Sequence, residues 1–487
     1  MGPGTSTSAT AQPFFRTLGN AKLKLLAVFL TVSTILLLTL YSGGLSSNIS
    51  PGAKDELTNE QDYWTWETRT QFRKSQHGND SDDTGRSQNG TCDTFPSDLL
   101  SHIQITLKTS ATEDPNRVDT HMASVTRCIS NLLVVSDKET EIHGHHVHDI
   151  LADLPLSARN HIPEFNGYDA LQRGENNIDG AAGWKLDRFK FLPMVERAKK
   201  VNPGAEWYVF LETDTYMVWD NLFRMLEQFN PSFPLYMGSP SPGRGVGDGK
   251  TNWFAYGGAG FVLSRSAVDT LVAREIDKYG QFVGPSVSEE YMQVTKEDCC
   301  GDSVLGFALY EKGIELSGMW PMFNPHPLNS IPFGDDHHWC QPAISMHKSQ
   351  LSDMTGLADW EDGRDRTNPL LYADLVEYLR LGELPERKGW DNGAWGGIIE
   401  QPDTLPQHES LEACRQACHD KDWCMSYTYD TVGACVFVRS LKLGAASKPE
   451  IADQFTAGWD NEKIQNWQAN NKCEKPVWMK PSLTRIF

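Results

Sequence analysis

The 487-residue sequence is short of positive charge: 44 Lys and Arg stand against 64 Asp and Glu, a formal net charge of -20. A phosphate backbone is held by clustered basic side chains, so nucleic acid is excluded as a principal partner. An acidic surface suits divalent cations or cationic neighbours, or is simply a solvated face. The chain has no C-x-x-C pair that suggests zinc and no convincing internal repeat. Long apolar runs are scarce as well, and the only one lies at residues 25–41 (LLAVFLTVSTILLLTLY).

That run, extended to residue 45, nears the roughly 20 residues a helix needs to cross a bilayer. It exceeds the roughly 7 to 15 residues of a cleaved signal's apolar region, which is the rival reading. Arg16, Lys22 and Lys24 precede it with no acid among them, whereas Lys54, Asp55 and Glu56 follow. The positive-inside bias therefore predicts a cytoplasmic tail over 1–24, a transmembrane signal anchor over 25–45 and a lumenal remainder. Sequons at Asn48, Asn79 and Asn89 agree with that topology. So do the ten cysteines, an even number that suits disulfides in an oxidising compartment. Residues 46–91, rich in Ser, Gly, Asn, Asp and Gln, have little to bury and are expected to form a flexible stem.

From Cys92 onward the pattern changes. Apolar strand-like runs at 103–107, 132–135 and 207–211 alternate with helical spacing, which predicts an α/β sheet. Trp184, Phe189, Leu192 and Val195 predict a single helix feeding the strand at 207–211, and residues 368–379 predict a last amphipathic helix. The Gly- and Trp-rich stretch 389–397 is expected to be the boundary between a catalytic domain over 92–388 and a cysteine-dense module over 389–487.

Four short elements carry the candidate chemistry. The strand at 207–211 ends in Glu212-Thr213-Asp214-Thr215-Tyr216, so two carboxylates leave a strand at i and i+2 on one side. Acids beyond the carboxyl end of such a strand can hold a hard divalent ion against a diphosphate, although alone they are as easily solvated. Gly257-Gly258-Ala259-Gly260, after Trp253 and Tyr256, leaves a surface without side chains, or a plain tight turn before a strand. Asp298 and Asp302 precede a helical pattern, as a general base or as helix-capping acids. His347, after another apolar run, offers a nitrogen ligand or fills a structural role.

In this order and spacing the four elements resemble glycosyltransferase family 31, the Fringe and core-1 β-1,3-galactosyltransferase group, over about residues 95–360. The resemblance implies a GT-A (Rossmann-like) fold, a UDP-sugar donor, Mn2+, and inverting transfer of a hexose, galactose or a relative, to a glycan or glycoprotein in β-1,3 linkage, in the Golgi. It implies that Asp214 and His347, with Glu212, hold the metal, and that Asp302 is the catalytic base with Asp298 as second choice. Thr106, Lys108 and Thr109 are then expected beside the donor with Glu212, Thr213 and Asp214. Trp253, Tyr256, Gly257, Gly258 and Ala259 are expected beside the sugars. Glu212 and Thr213 stand where the family has aspartates, which leaves metal geometry and donor preference open.

The C-terminal spacing of Cys414, Cys418, Cys424 and Cys435 resembles a PAN/apple domain, a small disulfide-stapled α+β module. That resemblance implies the pairs Cys414–Cys435 and Cys418–Cys424. Cys92 with Cys128, and Cys340 with Cys299 or Cys300, are further expectations among the 15 pairings that six cysteines allow. The rival to an enzyme is a catalytically silent lectin-like carbohydrate-binding or adhesion protein, and assembly as a homodimer is left open.

Overall fold

The computed structural model describes residue 92 and residues 95–160, 162–175, 180–334 and 338–485. The expected tail, anchor, stem and three sequons (Asn48, Asn79, Asn89) lie outside the described residues. Among the described residues, no helix is long and apolar enough to cross a membrane.

Among the described residues, thirteen strands form before residue 350: β1 (Ile103–Lys108), β2 (Leu133–Ser136), β3 (Thr140–Ile142), β4 (His145–Asp149), β5 (Trp207–Glu212), β6 (Tyr216–Met217), β7 (Tyr236–Gly238), β8 (Pro240–Gly247), β9 (Lys250–Ala255), β10 (Phe261–Ser264), β11 (Leu316–Gly318), β12 (Phe323–Asn324) and β13 (Ser345–Met346). Eight of them make one mixed sheet in the order β11-β7-β10-β5-β1-β2-β4-β3. β5, β1, β2 and β4 run parallel, while β10 pairs antiparallel with both β5 and β7. WYVFLE reads as a near-continuous apolar run, and IQITLK is buried at every position, as strands of a parallel sheet covered on both faces are.

Four helices matter for the site, α1 (Pro115–Ala123), α2 (Gly180–Asp187), α3 (Phe191–Val201) and α4 (Gly301–Glu311), and a fifth, α5 (Leu411–His419), belongs to the C-terminal region. Leu192, Val195 and Ala198 of α3 and Val304, Leu305 and Ala308 of α4 meet Tyr208, Phe210, Phe261 and Leu263 of the sheet in the main core. The single helix expected through Trp184–Val195 is two, α2 and α3, joined by turns that close on Leu186 and Asp187 carbonyls. Pro193 explains the break: it has no N–H to return to the Phe189 carbonyl, so it is tolerated only in the first turn of a new helix.

A second, three-stranded sheet, β12-β13-β6, does the long-range work. β13 pairs antiparallel with β6, setting Met346 opposite Tyr216. His347 is thereby carried to the end of β5, and the Ser349 N–H donates to the Asp214 carbonyl at 3.0 Å.

The C-terminal region packs directly on what precedes it. β14 (Arg387–Lys388), β15 (Trp390–Asp391), β16 (Ser426–Asp430), β17 (Ala434–Val438), β18 (Ala445–Ala446) and β19 (Phe455–Trp459) follow, and the four-stranded sheet β14-β19-β16-β17 begins ahead of the expected boundary at 389. The Ser482 N–H donates to the Gly318 carbonyl at the edge of the main sheet. Cys414–Cys435 and Cys418–Cys424 staple α5 to this small sheet, and Cys92 bonds Cys128. The expectation for Cys340 is corrected: it bonds Cys473, because residue 477 hydrogen-bonds the Cys340 carbonyl and lays the C-terminal segment alongside it. Cys299 and Cys300 bond each other.

Candidate functional site

β5 delivers Glu212 to the carboxyl edge of the sheet, where the chain turns at once. The Thr215 hydroxyl accepts the Glu212 N–H at 3.1 Å and donates to the Gly258 carbonyl at 2.8 Å. Buried His121 of α1 donates Nε2–H to the Thr215 carbonyl at 3.0 Å and pins the same turn. The ligand atoms of Glu212, Asp214 and His347 consequently all lie within 4.8 Å of one another, with His347 Nε2 3.3 Å from Asp214 Oδ1.

The glycine-rich element makes room for this arrangement. A Cβ on Gly258 would lie 2.1 Å from His347 Nε2. One on Gly257 would lie 2.9 Å from the Phe191 ring and 3.2 Å from Asp302 Oδ2. Gly260 adopts φ +74°, a conformation that costs a residue with a Cβ and none for glycine. Gly306 serves packing, since a Cβ there would meet Phe254 at 2.3 Å where α4 lies on β9.

Two carboxylates and one imidazole form an oxygen-rich donor set that fits a hard or borderline divalent cation such as Mn2+. Burial pushes the Asp214 carboxyl up, but the hydrogen bond and charge of His347 and the charge of Arg117 outweigh it and hold it below the ordinary range. Glu212 goes the other way: burial raises it, Lys108 opposes, and the charges of Asp187 and Asp214 add to the rise.

Next to this triad lies a cleft of about 300 Å³ lined by Lys108, Thr109, Ser110, Thr112, Arg117 and Asp187 among others. Lys108 Nζ sits 2.5 Å from Asp187 and 3.3 Å from Glu212, and Arg117 Nη1 is 3.4 Å from Asp214 Oδ2. The loop after β1 is fastened from below: Asp137 accepts the Ala111 N–H at 2.7 Å and the Ser110 hydroxyl at 3.1 Å. Lys190, fully buried, pairs with Asp137 at 3.1 Å and donates to the Thr109 carbonyl at 3.0 Å. The Thr109 hydroxyl is buried without a hydrogen-bond partner.

Asp302 opens α4. Its Oδ2 accepts the Gly257 N–H at 2.8 Å and its Oδ1 the Ser303 N–H at 2.9 Å. Burial nonetheless raises its carboxyl above the ordinary value, because those two bonds and Lys108 offset only part of the lost hydration. The phenol of Tyr256 is raised by burial and by the charges of Asp302, Glu212 and Asp214, so it lies in the field of all three acids, and its ring meets that of His347 edge to face at 5.3 Å.

Other sequence candidates sit elsewhere. Asp298 is engaged by Arg244 at 3.0 Å, the Ser303 hydroxyl at 3.1 Å and the Cys300 N–H at 3.2 Å, a structural clamp at the start of α4. Thr106 is buried within the sheet between Leu133 and Phe210 and does not line the cleft. Trp253 packs against the main core, and Ala259 is buried with its carbonyl bonded to the Ser345 hydroxyl. Sequence reasoning missed Arg117, Asp187, Lys190, Asp137 and His121. None stands in a motif; only the placement of Asp137 at the end of a strand neighbouring β1 gives a signal.

Residues 172–354 match the Fringe family, described as Fringe-like. The radical fringe β-1,3-N-acetylglucosaminyltransferase of Gallus gallus is 38% identical over 82 residues, 15% of this chain and 22% of the relative. The lunatic fringe β-1,3-N-acetylglucosaminyltransferase of Danio rerio is 33% identical over 81 residues, again 15% and 22%. The Fringe glycosyltransferase of Drosophila melanogaster is 34% identical over 91 residues, 16% and 22%. The chain thus spans 22% of the length of each of these relatives. A solved glycosyltransferase involved in glycosylation of the major capsid of PBCV-1 aligns over 53% of this chain and 99% of its own at 11% identity and a TM-score of 0.23. The sequence similarities support a glycosyltransferase.

Proposed function

We propose that this chain is an inverting, Mn2+-dependent glycosyltransferase of GT-A type that transfers a hexose or N-acetylhexosamine from a UDP-sugar to a glycan or glycoprotein. The observation that carries the reading is the convergence of Glu212, Asp214 and His347 at the mouth of a cleft that also presents Lys108 and Arg117. Two cations beside two carboxylates and an imidazole suit a diphosphate bridged to a divalent ion. A cation held by Glu212, Asp214 and His347 would supply Lewis-acid stabilisation of the departing diphosphate.

The chain's own residues supply the rest. Asp302, its two oxygens oriented by the Gly257 and Ser303 N–H groups, accepts the proton of the acceptor hydroxyl as that oxygen bonds the anomeric carbon. The bond from that carbon to UDP breaks, its electron pair leaving with the diphosphate. Arg117 and Lys108 bind the phosphates, and Ser110 and Thr112 line the same cleft. The β-1,3 linkage rests on the similarity to enzymes so named. Anchoring at residues 25–45 with the enzyme in the Golgi lumen rests on the charge flanks and on five disulfides. The stapled helix of the C-terminal region supports a PAN/apple-like module that helps hold the acceptor.

A second reading, a silent lectin-like protein, is favoured by one observation: Glu212 is drawn to Lys108, and Thr213 supplies no third acid. UDP release from UDP-galactose, UDP-glucose, UDP-N-acetylglucosamine and UDP-N-acetylgalactosamine by the full chain with Mn2+ separates the two. Turnover of one donor, lost in Asp302→Asn while UDP binding persists, supports the enzyme. Binding without turnover of any donor in the wild type overturns it in favour of the lectin.

A further inference from the structure

The far edge of the main sheet carries a histidine hairpin that the transferase reading does not use. β3 and β4 are joined by His143 and Gly144, both at positive φ (50° and 77°). Two such residues make the tight two-residue turn whose twist matches that of its strands, and the turn fixes the register. Glu141 accordingly stands opposite His146 and Thr140 opposite Val147. The same register, continued one step, sets Glu139 across from His148.

Side chains alternate along a strand. Val147 points into the core, fully buried, so His146 and His148 share the opposite, outer face. Their rings meet edge to face with centroids 4.3 Å apart. Glu139 reaches the same point, with Oε1 against His146 Nε2, while its Oε2 accepts the Asp149 N–H at 2.8 Å and holds the carboxylate in place. One ligand atom from each of the three lies within 4.8 Å of the others.

We propose that Glu139, His146 and His148 form a second metal site, selective for a zinc-class divalent transition metal. Two imidazoles and one carboxylate are a softer donor set than the two carboxylates and single imidazole at Asp214, and they suit Zn2+ or Cu2+ over Mn2+. The site has three protein ligands and an open side, since His146 and Glu139 are 57% and 55% exposed, which leaves a position for water or a further ligand. The backbone bond to Glu139 is the outer partner that orients a ligating carboxylate. Occupancy would cross-link the last two strands at the edge of the sheet.

The test is equilibrium dialysis of the full chain against Zn2+ with Mn2+ in excess, so that the Asp214 site is filled by the harder ion. One equivalent of Zn2+ is expected, retained in His347→Gln. His146→Gln/His148→Gln should lose it, and Glu139→Gln should bind at least about tenfold more weakly. Substituting Cu2+ should give an electron paramagnetic resonance spectrum split by two nitrogens in the wild type and by one in His148→Gln. Unchanged Zn2+ stoichiometry in the folded double variant overturns the proposal. So does Zn2+ that is lost only with His347, or a Cu2+ spectrum indifferent to His148→Gln.

Discussion

Gly258 and His347 are packed so closely that the glycine has no room for a methyl group: its Cβ would stand 2.1 Å from the histidine's Nε2. That nitrogen is the one facing Asp214. Gly258→Ala should therefore displace the imidazole and weaken Mn2+ binding by at least about tenfold, as removal of a supporting group does at metal sites. Its melting temperature should change little compared with the loss in affinity, because His347 can turn aside. Mn2+ titrations of both proteins with parallel thermal melts check this; wild-type affinity in the variant contradicts the packing argument.

Asp302→Asn keeps the shape of the side chain and an acceptor for one of the Gly257 and Ser303 N–H groups, but cannot accept a proton. Loss of a general base costs about 10² to 10⁴ in kcat, so turnover should fall by that range with UDP affinity unchanged. The carboxyl is raised by burial, so the acid limb of the wild-type kcat/KM profile should lie above the ordinary carboxylate value. A profile whose acid limb is indifferent to the substitution would remove Asp302 from the base role.

His121 makes stability pH-dependent. Burial lowers its pKa from 6.5 to about 4, so between those values the unfolded chain binds a proton that the folded chain does not. Stability is then complete above pH 6.5 and falls on acidification by about 1.4 kcal/mol per pH unit until the folded group titrates. Urea unfolding of wild type and His121→Gln from pH 7.5 to 4.5 should show a slope in the wild type that the variant loses. Parallel curves would refute the assignment.

The buried pair Lys190 and Asp137, 0% and 1% exposed, anchors the loop that floors the cleft. Lys190→Met strands the Asp137 carboxylate, and breaking a buried pair from one side costs about 3 to 5 kcal/mol. A markedly lower denaturation midpoint and weaker UDP binding are expected together. A fall in stability with UDP affinity intact would show that the pair holds the core but not the cleft.

What the sequence made legible was what lies within one stretch of chain. The strands at 103–107 and 207–211 announce themselves because burial on both faces leaves short, mostly apolar stretches, and β1 and β5 follow them closely. Glu212, Asp214 and His347 stand out because each follows an apolar run, and Asp302 because it precedes a helical pattern. Apolar spacing persists across the break that Pro193 imposes, so the sequence alone predicts one continuous helix through Trp184–Val195. Arg117, Asp187 and Lys190 were illegible for a different reason. Their roles arise from pairings across the fold, with Asp214, Lys108 and Asp137, and nothing in their own neighbours marks them. The Cys340–Cys473 bond is of the same kind, set by where the C-terminal segment docks.

The most direct measurement is Mn2+ binding by the full chain with and without UDP, followed through the free Mn2+ electron paramagnetic resonance signal. The account predicts one site that UDP tightens, abolished in Asp214→Ala and in His347→Ala while both variants remain folded. Equal Mn2+ and UDP affinities in wild type and in both folded variants would contradict it.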